Sequence, residues 1–317
     1  MLIALLMVTV ATQQPVQAEL FGHGVFSTAE YELPPTFDLN GNRAWWTVST
    51  PVYGRIRWIV ESRRTARGWT PPVMASFSGQ YDDADPYVSP DGSQLFFLSK
   101  RPVAAGQPAR RDLDIWVMQR EGNGWGAPRH LGNRVNGPND EHYVTATRDG
   151  RLVIAAVRAD SRNQGDLYEI PIENGEYGEP RNLGPVVNGP DTHETTPWVS
   201  PDGSVIIFGA RGRQDSFGQI DLYVTVRDSV TGAWSAPVNL GPGVNSAGTD
   251  YCPLISPDGE WLYFSSTRSW IDNGLERPIS ADSMRTLLRS PGNGLGDVYR
   301  IRIRDVPALQ RLMTRDR

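Results

Sequence analysis

Five glycines, Gly41, Gly92, Gly150, Gly203 and Gly259, each follow an Asp or Asn and stand 51, 58, 53 and 56 residues apart. Nine residues before each one is a carboxylate: Glu32, Asp83, Glu141, Glu194 and Asp250. Eight or nine residues after four of them is an arginine, Arg101, Arg158, Arg211 or Arg268, and only the first unit lacks it. Such a set has three chemical uses. Paired with arginine or backbone N–H groups, the acids form a repeated structural clasp. Left open to a cation, they are oxygen ligands for Ca²⁺ or Mg²⁺, although four nearby arginines oppose one. Placed in unlike settings, two of them become a general acid and a general base. The clasp is the leading expectation, because these acids are related by the repeat while an active site gives each carboxylate its own surroundings. Glu141-His142 and His193-Glu194 add imidazoles beside two of the acids, either as a histidine/carboxylate metal site or to satisfy backbone groups. No catalytic residue and no cofactor beyond the Ca²⁺ or Mg²⁺ option is expected.

The elements that must position these groups follow from the repeat. Tyr87-Val-Ser-Pro-Asp-Gly92, Trp198-Val-Ser-Pro-Asp-Gly203 and Leu254-Ile-Ser-Pro-Asp-Gly259 are near copies, and Thr145-Ala-Thr-Arg-Asp-Gly150 and Thr36-Phe-Asp-Leu-Asn-Gly41 are weaker ones. Asp-Gly and Asn-Gly supply the positive φ of a tight hairpin, so each copy ends one strand, a, and starts another, b. Strand b is the apolar run that follows, as in Leu95-Phe96-Phe97-Leu98. Strand c carries Asp-aliphatic-aromatic at Asp114, Asp166, Asp221 and Asp297, while Arg57-Trp58 of the first unit lacks the Asp. Strand d follows an aromatic residue and Pro and leads into an Asn-rich loop, as from Trp125 to Asn136 and from Trp234 to Asn245.

Repeated four-stranded antiparallel units are the signature of a β-propeller, here all-β with five blades, a six-bladed ring being the alternative. The fifth unit has no strand d of its own. Leu20-Phe-Gly-His-Gly-Val25 aligns with Asn239-Leu-Gly-Pro-Gly-Val244, so the N-terminal segment is expected to complete the last blade and leave no edge open. Strand a then lines the central channel, and the acids and arginines share the face of the d–a and b–c loops.

The Ser-Pro-Asp-Gly turn, the aromatic strand after it, Ser266-Thr-Arg268 and the Asp-Leu-Tyr strand resemble the WD-repeat-like propeller repeats of the TolB type, from about Glu19 to Ile301. That resemblance implies an exported interaction module, with a protein or an envelope glycan as partner, and names neither. The other reading is a carbohydrate-active hydrolase or lyase, since five-bladed propellers also house glycosidases and Ala84-Asp85-Pro86-Tyr87-Val88 has a passing likeness to the start of such a site.

Composition narrows the class. With 31 Lys+Arg against 36 Asp+Glu, the net charge of −5 gives no basic excess to release counterions from nucleic acid. The 32 glycines and 25 prolines favour turns and short strands over long helices. Cys252 is the only cysteine, so no internal disulfide and no cysteine-based zinc cage can form. Leu2 to Ala11 is an apolar run, and Val16-Gln17-Ala18 suits a signal-peptidase site. Residues 1–18 are therefore expected to be a signal peptide, 19–304 one propeller domain, and 305–317 a tail that docks as a short helix or frays. The mature protein is expected to be a periplasmic or secreted monomer without a membrane span. No Gly-x-Ser-x-Gly elbow, His-Glu-x-x-His helix or phosphate loop occurs. The long insert from Ser269 to Leu295 breaks the repeat. Ser280 is placed to cap a helix running through Arg289 with Met284, Leu287 and Leu288 on one side, either as a lid on its own blade or as a partner contact.

Overall fold

A computed structural model describes residues 16–51, 56–272, 274, 275 and 277–313. Five antiparallel sheets follow one another as the blades of a propeller. Blade 2 runs Asp83–Val88, Gln94–Ser99, Asp114–Glu121 and Arg129–His130 as strands a to d, and blade 4 runs His193–Val199, Val205–Arg211, Asp221–Val226 and Val238–Asn239. Blade 3 begins at Glu141–Ala146 and blade 5 at Asp250–Ile255. In blade 1 the inner strand is broken into Tyr31–Glu32 and Thr36–Phe37, because Pro34 and Pro35 between them have no N–H for the ladder. The six-bladed alternative fails: residues 57–74 are the outer strands of blade 1, and the insert after Arg268 contributes a helix.

The ring closes through the N-terminus. Glu19 and Leu20 pair with Arg300 and Tyr299, so the fourth strand of blade 5 comes from the opposite end of the chain. Just beyond it, Phe21 stacks on Phe26 with ring centroids 4.9 Å apart, and Phe26 packs on Trp46 of blade 1 at 4.6 Å. Apolar stacks between adjacent blades form the core. One joins Ile207 and Leu222 of blade 4 to Leu262 and Phe264 of blade 5, and another joins Trp45 and Ile59 of blade 1 to Leu95 and Phe97 of blade 2. No blade can bury both of its faces alone, so the ring is what makes each sheet stable.

The asparagines after strand d act as surrogate backbone. Asn245 accepts from the N–H of Leu222 at 2.8 Å and donates to the carbonyl of the same residue at 3.0 Å, extending a two-residue strand by one more pair of bonds. Asn136 does this at Ile115 and Asn188 at Leu167. In blade 5 the hydroxyl of Ser27 takes the role, accepting from Val298 N–H at 3.0 Å and donating to its carbonyl at 3.1 Å.

Of the expected leader, residues 1–15 lie outside the described residues, and Ala18 donates its N–H to Gly243. At the other end, a 3₁₀ turn over Ile303–Asp305 leads into a helix, Pro307–Met313, which buries Val306 and Leu309 against the stack between blades 4 and 5. The tail docks. No helix among the described residues is long and apolar enough to cross a membrane.

Candidate functional site

The carboxylates at the start of strand a are at most 1% exposed, so they lie beneath the loops and not on an open rim. Four of the five meet an arginine. Arg101 Nη2 donates to Asp83 Oδ1 at 2.9 Å, Arg268 Nη2 to Asp250 Oδ1 at 2.9 Å, and Arg158 Nη2 to Glu141 Oε1 at 3.3 Å. In blade 4 the partner is Arg213, whose Nη2 lies 2.8 Å from Glu194 Oε1, and not Arg211. Strand b of that blade runs seven residues, to Arg211, so the b–c loop turns inward two residues later and Arg211 is left exposed, reaching Gln164.

Each paired arginine bonds a third element. Its Nη2 also donates to a carbonyl in the loop leaving the preceding blade, Phe77 for Arg101, Val135 for Arg158, Val187 for Arg213 and Val244 for Arg268. Its guanidinium lies over the strand c aromatic, 5.5 Å from Trp116, 5.6 Å from Tyr168, 5.1 Å from Tyr223 and 4.6 Å from Tyr299. That contact accounts for the aromatic residue in the Asp-aliphatic-aromatic repeat. Glu32 of blade 1 bonds Thr28 instead. Burial pushes Glu32 up to about 8, and does the same to Glu141 against the pull of Gly137 N–H and Arg158. Desolvation also raises Glu194, although Thr192 and Arg213 oppose it.

A second ring of acids went unread as such in the sequence. Asp114, Asp166, Asp221 and Asp297 are fully buried at the start of strand c, where they hold the incoming b–c loops. Asp221 accepts from the N–H groups of Phe217 and Gly218 and from Asn239 Nδ2, and Asp297 accepts from Gly292 N–H. The repeated Asp was the available signal. His130 is in strand d of blade 2, with Nε2 2.8 Å from Asp114 Oδ2.

His142 and His193 open strand a of blades 3 and 4 and are half-buried. Burial lowers both below the usual imidazole range, and each feels a cation, Arg57 for His142 and Arg211 for His193. No group of three or more His, Cys, Asp or Glu among the described residues is arranged to hold a metal ion.

One step further along strand a, the inner wall carries four residues at positive φ that are not glycine: Asp85 (52°), Tyr143 (64°), Thr196 (47°) and Cys252 (52°). They occupy equivalent positions, two residues after the acid of each blade. The ladder to strand b is interrupted there in every case. In three of the four the next residue is proline, Pro86, Pro197 or Pro253, which has no N–H to give. The bulges turn these side chains toward the axis, where Tyr31, Leu33, Tyr143, Tyr251 and Cys252 from three blades pack into one plug. Tyr251 donates its hydroxyl to that of Tyr31 at 2.7 Å. Gly296 is required beside it, since a Cβ there would overlap the Tyr31 ring.

The insert is fastened at its neck by a bridge between Ser269 and Asn293, and carries α1 (Ala281–Leu288). Ser280 caps it by accepting from Ser283 N–H, and no residue of α1 is buried. Met284 and Leu288 therefore face outward, as do Ile271, Leu275 and Ile279. On the opposite face the Ser-Pro-Asp-Gly turns of several blades surround a cavity of about 380 Å³ at the other end of the channel, lined by Phe37, Tyr87, Trp198, Leu254 and Arg148.

Sheet order, closure and repeat define the class as a five-bladed β-propeller. No family model matches the chain, and no curated protein matches it. Among solved structures, a candidate TolB from Agrobacterium tumefaciens is similar at 19% identity over 86% of this chain and 90% of that one, with a TM-score of 0.47. An α-L-arabinofuranosidase from Lactobacillus brevis matches at 12% identity over 86% and 90%, with a TM-score of 0.47. The protein of a BT0996–RGII complex matches at 10% identity over 80% and 87%, with a TM-score of 0.51. At these identities the likeness is one of fold alone.

Proposed function

We propose that the chain is an exported, non-catalytic binding module that recognises a protein or envelope glycan on the face of its d–a and b–c loops. In this reading residues 1–18 are a cleaved leader, the 19–304 propeller is the scaffold, and the module works in the periplasm or outside the cell. The observation that carries it is the division of labour on that face. The repeated acids are buried and occupied by arginine, threonine or backbone groups, whereas Ile271, Leu275, Ile279, Met284 and Leu288 of the insert stand exposed on a fastened neck. Ligand selectivity requires variation on a rigid scaffold, and this insert is the large departure from the repeat. The symmetric setting of the acids speaks against the hydrolase reading, which needs two carboxylates in unlike environments.

Replacing residues 271–290 with a short Gly-Ser bridge, which keeps the Ser269–Asn293 neck and the Gly292 N–H on Asp297, tests this reading. The shortened protein should fold with a melting temperature close to that of the full chain and lose capture of its envelope partner in a pull-down. The cavity on the turn face supplies the rival. If capture survives the deletion but fails after charge changes beside Asp91 or Asp202, the binding face is the other one.

A further inference from the structure

We propose that the channel mouth on the loop face is a subsite for a primary ammonium group, the side chain of a lysine presented by the partner protein, with the carboxylate of Asp85 as its counter-ion. This rests on the binding-module reading and names the chemistry that the module would recognise.

Asp85 is the sole charged residue among the four at the repeated bulge; its equivalents are Tyr143, Thr196 and Cys252. It is 8% exposed, and its Oδ1 is buried with no hydrogen-bond partner among the described residues. Every clasp acid, by contrast, has a donor on at least one oxygen. A carboxylate removed from water without a hydrogen-bonded partner is costly, and so is a non-glycine residue at φ +52°. Both costs fall on the same residue. Asp85 stands within electrostatic reach of the thiol of Cys252, which lies in blade 5, two blades away around the ring.

The surroundings select the ligand. Arg57 of the adjoining blade attracts Asp85 electrostatically, but its guanidinium is bonded to Asp82 through two contacts of 2.9 Å. His142 and His193 on the rim are held neutral at physiological pH by burial. Asp85 itself, raised by burial to about 6, is mainly ionised there. Tyr31, Tyr143 and Tyr251 supply ring faces, which attract cations and pack the alkyl stem of a lysine. Like Asp85, these tyrosines and Thr196 each keep 6–8% of their surface, so nothing broader than the end of a slender chain fits there. A divalent metal is a poor fit, because no group of three or more His, Cys, Asp or Glu is gathered there among the described residues.

The test uses the full chain and three probes: the peptide acetyl-Gly-Lys-Gly-amide, the same peptide with norleucine, and n-butylammonium. By calorimetry or NMR titration the lysine peptide should bind about 10-fold or more tighter than the norleucine peptide. Asp85→Asn should remove that preference while leaving the melting temperature unchanged or higher, since Asn tolerates positive φ and carries no charge to bury. The inference is overturned if lysine and norleucine peptides behave alike, or if folded Asp85→Asn keeps the preference. Should Asp85→Asn fail to fold, the wild-type comparison of the two peptides decides by itself. Binding of n-butylammonium as tight as that of the lysine peptide would assign the mouth to free amines and overturn the protein source. Insert deletion reports on the binding module separately, so loss of partner capture there with no lysine preference rejects this inference alone.

Discussion

Single side chains decide how the repeat is fastened. An arginine that bonds an acid, a neighbouring loop carbonyl and an aromatic face holds three strands and two blades together. Removing it leaves a buried carboxylate without its counter-ion, which costs about 3 kcal/mol in comparable sites. Arg213→Met should therefore lower stability by about that amount in chemical denaturation, whereas Arg211→Ala, two residues away and exposed, should change it by less than about 0.5 kcal/mol. Equal effects of the two would remove the assignment of Arg213 to Glu194. The spacing in the sequence selected Arg211, because eight residues from the turn glycine is the distance that works in blade 3, where Arg158 pairs with Glu141. Strand length in blade 4 moved the role to Arg213.

The closing strand carries the largest burden among the elements. It is only two residues long in its ladder, Glu19 and Leu20, and is reinforced by Ser27 on Val298 and by Phe21 and Phe26 wedged between blades 5 and 1. Deleting through Ser27 exposes the edge of blade 5 and strips the aromatic seam, so the ring should lose cooperative melting at the wild-type temperature. A truncated chain that melts as sharply and as high as the full one would show that closure lies elsewhere. This element was legible in the sequence, since residues 20–25 copy 239–244 and the fifth unit lacks its own strand d. The bulge at Asp85, Tyr143, Thr196 and Cys252 was not. Four different side chains stand there, and only the backbone conformation makes them equivalent.

The whole molecule should be acid-stabilised across neutrality. Glu32 and Glu141 are raised to about 8, and Asp85 and Asp297 to about 6, in each case chiefly by burial. A group whose folded pKa is raised holds protons that the unfolded chain releases. Its contribution is complete below its unfolded value and is lost as pH climbs through its folded one. His142 and His193 are lowered, so they act in the opposite sense, and stability is lost as pH falls below about 6.5. The melting temperature should consequently rise on going from pH 9 to 6.5, through Glu32 and Glu141, by an amount on the order of 2–4 kcal/mol in stability. A flat or opposite slope in that window contradicts this assignment, and Glu141→Gln should flatten part of it.

What the sequence determined by itself is whatever a local pattern can encode. Asp-Gly and Asn-Gly turns fix hairpins, apolar runs fix strands, and their recurrence fixes a ring of four-stranded blades, with a strand d pattern at residues 20–25 to pair with the fifth unit. Ser280 likewise announced the start of α1 from its own hydroxyl. Tertiary structure decided which partner each group found, because pairing depends on where a loop turns and not on how many residues precede it. Hence Arg213, and not Arg211, closed the clasp of blade 4, and the strand c aspartates took up the N–H groups of the incoming loops. Asp85 came to stand alone at the axis for the same reason. A carboxylate's solvation and partners are set by five strands that converge from across the chain, and no stretch of residues around it records them.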